Sequence, residues 1–292
     1  MLSGVGGVRD LVALTKPRVV SLLLVATLVP MLVAGSEWPP LGVVIWTLAG
    51  GYLMAGGANA INMWLDRDID GLMGRTRRRP LPSGRLHPTL GLLYGIGLSV
   101  GAFAMLWAGA NLLAAGLAAA GFAVYLLVYT LGLKRRSPQN IVIGGAAGAF
   151  PPLVGWAAAT GGLDLTALLL FSIIYYWTPP HFWALALVKR RDYAAAGVPM
   201  LPVVAGERET RRQMLLYAAF LLPLSLLPSA TGAFGWLYAA AATLLGARLL
   251  QLIRRLAPDG PSPSAAWALY RFSLLYLALL FAAMLADRLL RW

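Results

Sequence analysis

The chain has 292 residues, 59% hydrophobic and 12% charged, where a soluble domain carries roughly 25% charged residues. That composition excludes a soluble globular protein, and zero cysteines exclude a disulfide framework, a thiolate metal site and thiol catalysis. The net charge of +13 invites a nucleic-acid partner, but the placement of the basic residues answers that charge in another way. Stretches of about 20 mostly apolar residues fall at about 19–35, 41–64, 89–108, 111–131, 140–160, 165–188, 213–229, 233–250 and 269–289. An all-α polytopic membrane protein of nine transmembrane helices is therefore expected, as one domain over 1–292 with no soluble part long enough to fold alone. The first stretch lacks a nearby small-residue cleavage site, so no signal peptide is expected.

Lys and Arg alternate between loops. Arg9, Lys16 and Arg18 precede the first span, and the later clusters occupy about 65–88, 132–139 and 189–212 and the loop after the eighth span. By this count 22 of 24 basic residues lie on one side, with Arg288 and Arg291 on the other. The bias places the N-terminus and the large loops in the cytoplasm and the C-terminus outside. Topology thus explains the net charge, and no nucleic-acid partner is expected. The two large loops, about 65–88 and 189–212, have room for chemistry.

At the end of the second span, Asn62, Asp66 and Asp70 are spaced four apart and share one helix face, whereas Asp68 points elsewhere. Carboxylates at i and i+4 repel, the C-terminal helix dipole disfavours them, and the membrane edge makes ionisable groups expensive. A divalent cation relieves all three costs. Two carboxylates and an amide carbonyl suit Mg2+, which completes its shell with water and phosphate. The string RTRRRPLPSGR follows. Its arginines serve the positive-inside bias, and Arg67, Arg78 and Arg79 are also candidates for clamping phosphate oxygens. Pro80, Pro82 and Gly84 are expected to end any helix there in a rigid turn.

Further along, Tyr129 and Lys134 mark the cytoplasmic end of the fourth span, and Asn140 opens the fifth at the same depth. Snorkelling and an interfacial aromatic belt account for the first two equally well. In YYWTPPHFW, Pro179 and Pro180 are expected to break the sixth span, turning His181 toward a pocket rather than lipid. A packed, hydrogen-bonded core histidine is the plain alternative. His87 is expected at the surface. Glycine-rich GGYLMAGGAN and IGGAAGAF resemble helix-packing faces, and the small side chains of Gly56, Gly57 and Ala58 would also leave room beside the Asn62 face, which the tail of a long apolar substrate could use.

Asn-x-x-x-Asp-x-x-x-Asp at the end of the second span resembles the UbiA superfamily of intramembrane prenyltransferases. The strings NMWLDRDIDGLMGRTRRRPLPSGR, YTLGLKRRSPQNIVIGGAAGAFPPLVGW, WTPPHFWALAL and DYAAAGVPMLPVVAG are similar to those of its protoheme IX farnesyltransferase branch. The resemblance covers about residues 10–215, and the last three spans match in hydropathy alone. It implies helices around a central cavity open to the cytoplasm, with Mg2+ on Asn62, Asp66 and Asp70. Lys134, Arg135 and Lys189 would meet diphosphate oxygens and Asn140 the substrate, and His181 would position the porphyrin, ligate its iron or manage a proton. Asp192 stands where the superfamily begins a second acidic motif, but Ala196 replaces the next acid, which puts a second Mg2+ in doubt. The implied activity is farnesyl transfer from farnesyl diphosphate to a vinyl group of heme b with addition of water, giving heme O. Implied partners are the inner-membrane bilayer and a downstream heme A synthase or terminal oxidase assembly. A quinone precursor or other aromatic acceptor is the nearest alternative. A transporter would share the spans but has no need of an acidic face beside a basic loop, and the Asp-Gly-Ala-Arg signature of CDP-alcohol phosphotransferases is absent.

Overall fold

A computed structural model describes residues 7–257, 260 and 262–290; Arg291 lies outside them. Thirteen helices account for the described chain: α1 Val8–Thr15, α2 Pro17–Val33, α3 Leu41–Leu65, α4 Arg67–Leu72, α5 Pro88–Gly109, α6 Leu112–Leu133, α7 Asn140–Thr160, α8 Leu165–Val188, α9 Arg190–Ala195, α10 Leu201–Val204, α11 Gly206–Ala230, α12 Trp236–Arg254 and α13 Pro263–Leu290. Local chemistry sets many of these ends. Asn111 and Asp164 accept hydrogen bonds from Ala114 N (2.8 Å) and Ala167 N (3.0 Å), capping α6 and α8. Pro17 opens α2 at the position where its missing N–H costs nothing. It also bars the preceding residue from the right-handed helical region. Lys16 sits instead at φ 53°, the one non-glycine with positive φ among the described residues, and α1 and α2 meet at a 47° bend.

Seven helices are long and apolar enough to cross a membrane, or eight when the bent α1–α2 pair counts as one. The chain is a multi-pass membrane protein, but the nine expected spans are not reached. The shortfall is α8. Its 24 residues have the length, but Tyr175, Tyr176, Pro179, Pro180 and His181 dilute its apolar character. The expected break there is also absent, because α8 runs through both prolines while packed against α7, α11 and α13. Pro80 and Pro82 do lie outside helices, in turns between α4 and α5, with Gly84 at φ 74°.

The packing order closes a ring: α3 on α5, α5 on α6, α6 on α7, α7 on α2 and α8, α8 on α11, α11 on α12, α12 on α13, and α13 back on α8 and α2. Close approach depends on glycine. A Cβ at Gly57 would lie 2.3 Å from Ser99 Oγ and 2.7 Å from Gly95 O, so α5 fills that space. Gly56 abuts Thr15. These glycines pack helices, and the expected room for a tail beside Gly57 is taken. At one end the two long loops dock on each other, Ile69 and Met73 forming one buried cluster with Ile141, Ala186, Val198 and Met200. Apolar side chains such as Leu93, Val100, Trp107, Leu127 and Leu244 stay exposed on the outside of the ring, as a lipid-facing surface requires.

Candidate active site

The helix α3 ends at Leu65, and Asp66 leaves helical geometry at φ −96°, ψ 6°. Hydrogen bonds nonetheless run from Asp66 N to Asn62 O (2.9 Å) and from Asp70 N to Asp66 O (2.8 Å). The four-residue step is thereby carried across the break into α4, which keeps Asn62, Asp66 and Asp70 on one face. All three are buried, at 3%, 1% and 1% exposure. Two carboxylates at that depth need compensation. Asp66 pairs with Lys134, with the Arg135 guanidinium 3.6 Å away, and Asp70 pairs with Arg79 at 2.6 Å. Thr76 Oγ1 donates to Asp70 O at 2.7 Å, folding the basic loop back over α4.

Asn62 is wired at both ends of its amide. Its Nδ2 donates to Asp66 Oδ2 (2.7 Å) and Thr130 Oγ1 (3.1 Å), and its Oδ1 accepts from Lys16 Nζ (3.3 Å). Only this orientation matches a cationic donor on one side and a carboxylate on the other. Lys16 Nζ also donates to Asn59 Oδ1 at 3.1 Å, and Asn59 Nδ2 returns to Thr15 O at 3.2 Å. A left-handed non-glycine residue costs on the order of 1 kcal/mol or more, and here it aims an ammonium at the acidic face. Sequence reasoning counted Lys16 as a topological charge; its one sign was a Lys-Pro step between two apolar runs.

The last ten residues of α6, Val124–Leu133, are wound as a π-helix, and Lys134 N and Thr130 Oγ1 reach back five residues to Tyr129 O and Tyr125 O, both at 2.8 Å. In an α-helix, a five-residue step turns about 500°, leaving the two side chains about 140° apart. The wider turn instead sets Tyr125, Thr130 and Lys134 opposite Asn59, Asn62 and Asp66, with contacts of 3.5 Å (Tyr125 Oη to Asn59 Oδ1) and 3.1 Å and the Lys134–Asp66 pair. Such bulges recur at functional sites. Tyr129 lies on Gly144, where no side chain would fit, and within 6.0 Å of Lys134 Nζ. A cavity of about 260 Å³, lined by Leu65, Asp66, Thr130, Leu131 and Arg135, opens onto the acid.

The remaining candidates separate. Arg67 turns away, donating to Trp64 O at 2.7 Å and covering its ring, and Arg78 and His87 are exposed. Asn140 is buried beside the site: Nδ2 reaches Lys134 O at 3.4 Å and Oδ1 has no partner. Lys189 caps α8 half-buried, and Asp192 in α9 makes no side-chain hydrogen bond or ion pair among the described residues. No group of three His, Asp or Glu gathers there, so Asp192 stays apart from the Asn62–Asp66–Asp70 face. His181 is also apart from it, buried against Ser273. Asp68 forms a bidentate pair with Arg135 at 2.7 Å for both bonds. That guanidinium holds its carboxyl down to about 2, well below the usual carboxylate range. The pair's contribution is therefore complete above about pH 4 and lost as pH falls through about 2. Because Asp68 is 61% exposed, solvent screens the pair, and Asp68→Asn is expected to change turnover less than about fivefold in a steady-state assay.

Two buried carboxylates, with Asp66 Oδ1 buried and free of hydrogen bonds, fit a hard divalent cation that takes few protein ligands; the Asn62 oxygen is turned to Lys16 and would join them once that lysine moves to an anion. Arg79 and Lys134 balance Asp66 and Asp70, and Lys16, when protonated, adds one further positive charge, Arg135 being paired with Asp68. With a metal added, that excess grows, and the site suits a highly charged anion.

Known proteins agree with this architecture. Residues 22–285 match the UbiA prenyltransferase family. A protoheme IX farnesyltransferase of Roseiflexus sp. is 54% identical over 280 residues, covering 96% of this chain and 52% of that protein. Another of that name, from Symbiobacterium thermophilum, is 52% identical over 281 residues, covering 96% and 94%. The chain spans about half the length of several of the curated relatives it matches. A UbiA homolog from Archaeoglobus fulgidus bound to DMAPP and Mg2+ superposes with a TM-score of 0.72 at 15% identity, over 94% of this chain and 99% of that one. The chain belongs to the UbiA prenyltransferase family.

Proposed function

We propose that the protein transfers a farnesyl group from farnesyl diphosphate to a vinyl group of heme b, with addition of water, giving heme O and diphosphate. The observation that carries the proposal is the buried acidic face with an Asp66 oxygen that accepts no hydrogen bond, ringed by Lys16, Arg79 and Lys134. The acceptor follows the relatives, which bear the name protoheme IX farnesyltransferase at 52–54% identity, and their name favours heme over a quinone precursor.

Asn62, Asp66 and Asp70 would hold Mg2+, whose charge lowers the basicity of the diphosphate and makes it a better leaving group. Lys134 and Arg79 each hydrogen-bond to one carboxylate and keep further N–H donors, so a diphosphate gives them a second anion to share. Lys16, with only amide partners, is the cation with most to gain from one. Preorganised charges of this kind act where charge develops as the C1–O bond breaks. The electron pair leaves on the diphosphate and a heme vinyl carbon bonds to C1. Water then bonds the neighbouring carbon and loses a proton. The apolar surroundings protect the allylic cation from early capture by bulk water.

The whole chain acts as one membrane domain. In this reading the site faces the cytoplasm, the C-terminus lies outside the inner membrane, and heme O passes to a downstream heme A synthase or oxidase assembly. Purified protein given heme b, Mg2+ and farnesyl diphosphate is expected to yield a product heavier than heme b by one farnesyl and one water, read by mass spectrometry. Absence of that mass, with prenylation of a quinone precursor under the same conditions, would overturn the heme assignment.

A further inference from the structure

We infer that Ser273 of α13 fixes His181 of α8 as its Nδ1–H tautomer, so that Nε2 presents a lone pair to the iron of the heme acceptor. The inference rests on the heme reading above and adds a positioning residue to it.

The His181 ring is enclosed on both faces. Trp177 stacks on it at 4.4 Å between centroids with planes 18° apart, Tyr270 at 4.8 Å and 26°, and Phe182 meets it edge-on at 5.1 Å. Only the ring edge is left for polar contact. On that edge Nδ1 lies 2.7 Å from Ser273 Oγ, and Ser273 Oγ lies 2.7 Å from Tyr270 O. Trp177 Nε1 donates to Ser273 O at 2.9 Å, so the serine is clamped from its backbone as well.

One hydroxyl proton serves two short contacts, and only one arrangement satisfies both. Were the proton aimed at Nδ1, two oxygens would face each other at 2.7 Å with no hydrogen between them. With the proton on the Tyr270 carbonyl line, Nδ1 must bring its own. The chain is therefore Nδ1–H to Oγ–H to O=C, and because a buried ring flanked by aromatics disfavours the charged imidazolium, the imidazole is neutral with its lone pair on Nε2. Nε2 makes no hydrogen bond among the described residues. A histidine that donates one N–H to a fixed acceptor and keeps the other nitrogen bare has the wiring of a metal ligand, with ring orientation set and basicity raised. Neutral imidazole is also the usual protein ligand of heme iron.

The location agrees. Phe182, edge-on to His181, packs in the cluster that holds Tyr129, Tyr193, Ile69 and Met73. Through Phe182 the cage adjoins the cluster that also packs Tyr129, whose ring centroid lies 6.0 Å from Lys134 Nζ, so His181 is set apart from the acidic face but on the same side of the molecule.

The test is a titration of the purified full chain with ferric heme b alone, followed by absorbance and electron paramagnetic resonance. Wild type is expected to show a histidine-ligated heme. His181→Gly should lose that signature and regain it with added imidazole. Ser273→Ala should weaken heme binding on the order of tenfold, whereas Ser273→Thr, which keeps the hydroxyl, should bind as wild type does and shows that the position tolerates change. A wild-type spectrum in His181→Gly, or unchanged affinity and spectrum in Ser273→Ala, overturns the inference while heme O formation by wild type leaves the activity standing. No heme binding by a wild-type protein that prenylates a quinone precursor overturns both.

Discussion

Asp66→Ala is expected to abolish farnesyl transfer, lowering product formation by at least about 10²–10³-fold, the usual scale for removing one preorganised electrostatic group. The loss reaches beyond a metal ligand. Asp66 accepts from Asn62 and Lys134 and faces Arg135, so its removal strips the compensation from a Lys134 that is only 13% exposed. Breaking one side of such a pair costs about 3–5 kcal/mol, and a fall in thermal stability should accompany the loss of turnover. Asp66→Asn separates the effects, because it keeps the shape and a hydrogen bond while deleting the charge. It should fold better than Asp66→Ala in a detergent melting assay and remain inactive. Retained turnover in either variant would remove the acidic face from the chemistry.

Gly155→Ala is expected to cause the largest stability loss of any single methyl addition in the chain. A Cβ there would lie 2.0 Å from Thr27 O, 2.9 Å from Thr27 C and 3.3 Å from Met31 Cβ. These are mostly backbone atoms, so no rotamer change relieves the clash, and α7 must move off α2. Overpacking usually costs about 1–3 kcal/mol, and a backbone clash belongs at the upper end. A lower melting temperature than wild type, measured beside Gly148→Ala, where nothing lies within 4 Å, is the expected outcome. Because α7 opens at Asn140 and abuts the π-wound end of α6, turnover should fall along with stability.

The legible part of this protein was its periodicity. Apolar run lengths located most of the membrane helices, and the four-residue spacing placed Asn62, Asp66 and Asp70 on one face even though the helix breaks at Asp66. Spacing survives a break when the hydrogen-bond ladder does. The missing part was whatever depends on winding or on distant pairing. Nothing in VYLLVYTLGL announces a π-helix, yet that winding points Thr130 and Lys134 at the acids. Lys16 looked like one more inside-positive charge, and its role follows from the left-handed backbone at the bend before Pro17. Arg67 stands beside the motif in sequence and points out of it in space, as neighbours on a helix do. Ser273 lies in a span where the sequence by itself offered hydropathy and no motif, although the family match runs through it to residue 285, and no local pattern links it to His181 across 92 residues.

The most direct test of the metal–diphosphate site is a crystal structure with Mn2+ and a non-hydrolysable farnesyl diphosphate analogue, with the metal located by anomalous scattering. The account predicts the metal bound to Asp66 and Asp70, with Lys16, Lys134 and Arg79 in contact with diphosphate oxygens. A metal and diphosphate bound elsewhere, with Lys134 still paired to Asp66 and Arg79 to Asp70, would contradict it.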